Sequence, residues 1–81
     1  MTKTEKFIYE KLINDALEEN YKGSTYASLI PNYNDLLNYE IPFRIRSLNV
    51  QISSLRKNEK IKGFYKIAAI RNYGYKLTPC G

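Results

Sequence analysis

The strongest apolar pattern of this 81-residue chain keeps a helical spacing up to Leu55, after which it gives way to aromatic and β-branched runs broken by Asn and Gly. Ile45, Leu48, Ile52 and Leu55 fall at i, i+3, i+7 and i+10, one continuous inward stripe that predicts a helix from about Phe43 to Lys57. After the polar break Asn58 to Gly63, the runs Phe64 to Ile70 and Tyr75 to Leu77 flank the short turn Arg71-Asn72-Tyr73-Gly74. Asn and Gly both tolerate positive φ, so this part predicts a β-hairpin.

Upstream, Thr2-Lys3-Thr4-Glu5 has the capping-box spacing, and Ile8, Leu12 and Ala16 with Ile13 and Leu17 recur at helical intervals. A first helix over about residues 4 to 19 is expected, with Glu10, Asp15, Glu18 and Glu19 largely off its stripe. Ser24 is expected to cap a short second helix, in which Tyr26, Ala27, Leu29 and Ile30 make the apolar contacts before Pro31 ends it. Pro31 to Ile41 has no clear period and reads as a loop in which Leu36 and Leu37 dock onto the core. The expected architecture is α+β, three helices followed by a C-terminal hairpin, in a single domain spanning residues 1 to 81.

A single cysteine, Cys80, permits no intrachain disulfide and no Cys-based metal cluster. The absence of His removes the commonest general base and a common metal ligand. With no nucleophile–base pair and no phosphate-cradling Gly loop visible either, the chain is expected not to be an enzyme and to use no cofactor, metal or small-molecule substrate. No apolar run approaches the length of a membrane span, and Met1 to Glu10 lacks the apolar stretch of a signal peptide, so a cytoplasmic protein with no membrane partner is expected.

The net charge of +5 is unevenly spread. Residues 1 to 40 carry four Lys against seven acids, a balance of −3, whereas residues 41 to 81 carry nine Lys or Arg against Glu59 alone, a balance of +8. A one-sided basic surface attracts a polyanion, most often nucleic acid, with an anionic membrane surface as the lesser alternative. The faces of the Phe43–Lys57 helix away from its stripe are basic and polar with small side chains, a surface able to lie close to a groove.

The segment Arg46-Ser47-Leu48-Asn49-Val50-Gln51-Ile52-Ser53-Ser54-Leu55-Arg56-Lys57 resembles the recognition-helix pattern R-T-V-D-V-H-I-x-x-L-R-K of the OmpR/PhoB family of response-regulator output domains. Ile67-Ala68-Ala69-Ile70-Arg71-Asn72-Tyr73-Gly74-Tyr75-Lys76-Leu77 resembles that family's wing, I-x-T-V-R-G-x-G-Y-R-L. The matches occur in the family's order and cover roughly residues 44 to 77. The chain departs from the family in beginning almost directly at its first helix, where members have a small antiparallel sheet, and in carrying no phosphoacceptor receiver domain. Regulation by phosphorylation of a linked domain is therefore not carried over. Asn72 replaces the first wing glycine, and Ser53-Ser54 stands where members often have arginine, so the sequence preference is expected to differ.

The resemblance implies a winged helix-turn-helix, in which the last helix enters the major groove and the hairpin reaches the neighbouring backbone or minor groove. It places Gln51 and Ser54 at base edges, Gln pairing with adenine, the alternative being an ordinary solvated helix face. Ser47 belongs to the same face. Val50 meets a thymine methyl or, alternatively, is part of the core. Arg44, Arg46, Arg56 and Lys57 are candidates for phosphate contacts, with ion pairing to Glu40 or Asp35 as the competing role. Arg71 is implied to enter or follow the minor groove, assisted by Tyr73 and Lys76, while Tyr75 packs its ring under the wing. Thr25 and Tyr26 open a helix whose N–H groups can hold a phosphate.

These readings converge on a sequence-specific transcriptional regulator of double-stranded DNA, nucleoid-associated, from a bacterium or phage. One copy buries little area, so self-association on repeated half-sites or a protein partner is expected. The alternatives are a DNA-bending or recombination accessory factor and a winged-helix protein-interaction module.

Overall fold

A computed structural model describes residues 1–80 as a mixed α+β fold, three helices and one three-stranded antiparallel sheet. The elements run α1 (Lys3–Ala16), β1 (Ser24–Thr25), α2 (Tyr26–Leu29), a 3-10 turn (Tyr33–Asp35), α3 (Ile41–Lys57), β2 (Tyr65–Ile70) and β3 (Gly74–Pro79).

The capping box at the start of α1 is formed: the Glu5 amide donates to the Thr2 hydroxyl at 3.1 Å and the Thr2 amide to the Glu5 carboxylate at 3.4 Å. The helix ends at Ala16, three residues short of the expected limit. Leu17 is 79% exposed and contributes nothing to the core, so no apolar contact draws another turn into the helix. Asp15 instead accepts the hydroxyls of Ser24 and Ser28 at 2.7 and 2.9 Å, anchoring the next segment.

Ser24 is not the cap of α2. It is a strand residue paired with Tyr75, and Thr25 caps the helix by accepting the Ser28 amide at 3.2 Å. β1 pairs with β3, which lies between β1 and β2. Beyond the end of β1, the Tyr21 hydroxyl accepts the Leu77 amide at 2.7 Å and continues the edge where backbone runs out. Asn32 takes a left-handed φ of 58° before the 3-10 turn. Leu36 then packs on the core as expected, whereas Leu37 is 55% exposed.

α3 starts at Ile41, two residues earlier than expected, because Pro42 fits the first turn of a helix, where its missing N–H costs nothing. It ends at Lys57 with Arg56 and Lys57 in the last turn, where cations suit the helix dipole. The hairpin closes with Tyr73 N–H donating to the Ile70 carbonyl at 3.0 Å. Asn72 supplies the positive φ, 59°, that the turn needs. The core lies between the inner face of the sheet and the helices. It joins Ile8 and Leu12 of α1, Leu29 and Ile30, Leu48, Ile52 and Leu55 of α3, Ile61, and Ile67, Tyr75 and Leu77 of the sheet.

β2 is the longer of the sheet's two edge strands. Leu77 turns its amide toward Tyr21, so the paired residue Ile67 points its own backbone groups outward, away from β3. Arg56 occupies that edge, donating Nε and Nη2 to the Ile67 carbonyl at 2.9 and 2.6 Å. A charged side chain bonded to an edge carbonyl both ties α3 to the sheet and obstructs pairing with another chain. Arg56→Leu is expected to lower stability by about 1–2 kcal/mol and to increase concentration-dependent association. Urea denaturation and sedimentation check this, and a variant matching the parent in both would refute the role.

Candidate nucleic-acid interface

The inward stripe of α3 fixes which of its residues face out. With 3.6 residues per turn, the line opposite buried Leu48 and Leu55 is Phe43, Val50 and Lys57, flanked by Arg46 and Ser53 on one side and by Ser47 and Ser54 on the other. All seven are exposed. From Ile41 to Lys57 the helix contains no acid and four cations, Arg44, Arg46, Arg56 and Lys57. α1 balances Lys3, Lys6 and Lys11 against Glu5, Glu10 and Asp15, and Glu18 and Glu19 are exposed just after it, so the excess of positive charge belongs to α3 and the segments that follow.

The hairpin is held against α3 by an interaction that links β3 to the middle of the helix: the Tyr75 hydroxyl donates to the Asn49 side-chain carbonyl. Tyr75 is buried under the hairpin as expected, with its ring edge-on to Tyr26 at 6.5 Å and the Arg56 guanidinium 6.0 Å from its centroid. Burial, and secondarily the neighbouring Tyr26, pushes the phenol above its ordinary value, so the hydroxyl stays a donor to Asn49. Arg56 adds the second tie through Ile67. The sequence points to Tyr75 but not to Asn49, since 26 residues separate the partners and an exposed Asn on a helix carries no local sign of a role.

The candidate residues fall into two groups. Arg44, Arg46, Ser47, Val50, Lys57 and Arg71 are exposed, with Arg71 on the turn of the hairpin. Val50, at 63% exposure, is a surface residue and not core. Gln51 is half-buried and turned to the flank of the helix, where it lines a shallow groove with Thr4, Ile8, Pro31 and Arg44.

The remainder are engaged elsewhere. The Ser54 hydroxyl donates to the Glu5 carboxylate at 3.1 Å, toward the start of α1. The Thr2 hydroxyl, followed by Ser54, holds the Glu5 carboxyl below its usual range, which keeps it an acceptor. Arg56 is committed to Ile67. The Tyr73 ring packs beside Gly23 and lines a surface hollow with Asp15 and Glu18, and its carbonyl accepts the Tyr26 amide at 3.0 Å. Lys76 alternates with buried Tyr75 and Leu77, which puts it on the outer face of the sheet, with its ammonium 5.8 Å from the Tyr21 ring. Nor does the start of α2 offer a phosphate cradle. The helix has four residues, Tyr26 N–H is bonded to Tyr73, and Ser28 N–H is bonded to Thr25.

No family model, curated protein or solved structure matches the chain. No helix among the described residues is long and apolar enough to cross a membrane.

Proposed function

We propose that the chain is a winged helix-turn-helix domain of OmpR/PhoB type that binds double-stranded DNA as a sequence-specific transcriptional regulator. On this reading α3 lies in the major groove, Arg71 on the hairpin turn meets the adjacent minor groove, and the protein binds without catalysing a reaction. The observation that carries it is that α3 itself contains no acid and exposes Arg46 and Lys57 on its outer face and Arg44 on its flank, while a separate clamp of Arg56, Asn49 and Tyr75 fixes the hairpin alongside. Exposed cations set affinity and register, and the uncharged residues between them are free to meet bases. Two copies on repeated half-sites would supply the specificity that one small surface lacks.

Exposed Leu37, Tyr39 and Phe64 favour a second reading, a winged-helix module that docks on another protein. Salt separates the two. If Arg44, Arg46, Lys57 and Arg71 each neutralise a phosphate, the logarithm of affinity falls with the logarithm of salt at a slope of about −3.6, roughly a hundredfold loss between 50 and 200 mM. Anisotropy titrations with a random-sequence duplex measure the slope. A flat profile, or no binding at the lower salt, would exclude the DNA reading.

A further inference from the structure

Of the two edge strands, β1 has two residues and β2 has six, about 20 Å of edge. The register turns the amides and carbonyls of Ile67 and Ala69 away from β3. Arg56 takes the Ile67 carbonyl, and among the described residues nothing pairs with the Ile67 amide or with either backbone group of Ala69. Ala68 and Ala69 are both exposed, and their methyl groups leave room for another backbone to approach. Along this edge runs a hollow bordered by Tyr65, Ile67 and Ala68 and by three exposed cations, Arg56, Lys62 and Lys66. Glu59, the one acid after Glu40, does not border it. The bond from Arg56 to Ile67 uses Nε and Nη2, which leaves Nη1 for a carboxylate.

We propose that an acidic segment of a partner protein, in extended conformation, adds a fourth strand to the sheet along β2. It pairs with Ile67 and Ala69 and sets carboxylates against Arg56, Lys62 and Lys66. Charge selects this occupant. A second copy of the chain, paired edge to edge, would bring the same three cations from each side together, and like charges across a strand pair are destabilising. A nucleic acid supplies phosphates for the lysines but no repeating N–H donors for the Ala69 carbonyl. Arg56 obstructs an uncharged strand at the Ile67 carbonyl and becomes a binding group for a strand that carries a carboxylate. None of the outer-face residues Arg46, Ser47, Val50 and Lys57 borders the hollow, so the proposal stands whether or not that face binds DNA.

The test offers a displayed pool of random octapeptides to the full chain at 50 mM salt, then titrates the best-retained peptide into protein labelled with nitrogen-15. Retained peptides are expected to carry Asp or Glu in a core free of Pro, and to shift the Ile67 and Ala69 amide signals and slow their hydrogen exchange. Methylating the peptide amides that face β2 is expected to weaken binding about tenfold. Lys62→Glu/Lys66→Glu changes only exposed side chains, keeps the fold by circular dichroism and is expected to weaken binding about tenfold. Ala69→Pro removes an outward N–H without touching the ladder to β3, and is expected to weaken it about fivefold.

A retained pool with no excess of acids overturns the proposal, as does equal binding of the methylated peptide or a set of amide shifts that omits Ile67 and Ala69. Undiminished binding by the lysine variant overturns it too, because the cations would then play no part. A random-sequence duplex that moves the Ile67 and Ala69 amides while no peptide is retained assigns this edge to nucleic acid and overturns the proposal as well.

Discussion

Gly74→Ala is expected to be the most damaging single substitution in the chain for stability. A methyl group on Gly74 would collide with the Ser24 carbonyl and press on the Thr25 backbone, where β1 crosses β3. β1 has little room to retreat, because the Ser24 hydroxyl is bonded to Asp15 and the Tyr26 amide to Tyr73. The clash is with backbone rather than with the end of a flexible side chain, so relief requires breaking the β1–β3 pairing. A loss of about 3 kcal/mol or more is expected, a large fraction of the roughly 4–12 kcal/mol that holds a domain of this size together. Gly63→Ala is the control. Gly63 has φ 89° but open space around its Cα, so alanine there meets only backbone strain and is expected to cost about 1 kcal/mol. Thermal and urea denaturation of the two variants separate collision from strain. A Gly74→Ala protein as stable as Gly63→Ala would show that β1 is not held as described.

Gly74 also marks where sequence reading reaches its limit. Asn72 and Gly74 look alike in a sequence, as residues able to take positive φ, and only Asn72 uses that freedom. Gly74 is needed for the close approach of a strand 49 residues upstream, since Thr25 is its partner. α1, α3 and the hairpin are legible because each buries one face and repeats its pattern over several turns or pleats, so the period survives local exceptions. β1 is not, since two residues, Ser24 and Thr25, have no period and become a strand only by pairing with β3. Ile61 escapes for the opposite reason: it lies in a polar break yet is 1% exposed, an isolated apolar residue with no neighbours in sequence to reveal its direction. Leu17 points inward by spacing and is exposed because the helix that would orient it stops first.

The candidate site divides in the same way. Residues whose fate depends on the phase of α3, such as Arg46, Ser47 and Lys57, are exposed as the stripe predicts, and Val50, left open between base contact and core, is exposed with them. Those diverted are diverted by partners far along the chain. Ser54 meets Glu5, 49 residues away, Lys76 lies over Tyr21, and Arg56 reaches across to β2. Helical phase says which way a side chain starts, but not what a second element will offer it on arrival.

Removing the four exposed cations of the proposed interface together is expected to have the largest effect on binding. In Arg44→Gln/Arg46→Gln/Lys57→Gln/Arg71→Gln every substituted side chain is exposed, so the fold should survive unchanged by circular dichroism. Each phosphate deprived of its cation takes about 0.9 from the salt slope, so the quadruple variant is expected to lose most of a slope of about −3.6, with affinity at low salt falling at least about a hundredfold. Its net charge drops from +5 to +1, and that change alone would weaken attraction to any polyanion. The comparison that separates location from total charge is Lys3→Gln/Lys6→Gln/Lys11→Gln, exposed residues of α1 whose replacement takes the net charge from +5 to +2. Counterion release depends on which cations stand against phosphates, so this triple variant is expected to keep a slope within about one unit of the parent's. An equal decline of slope in both variants would mean that the chain attracts DNA as a diffuse cation, with no face of its own for the duplex.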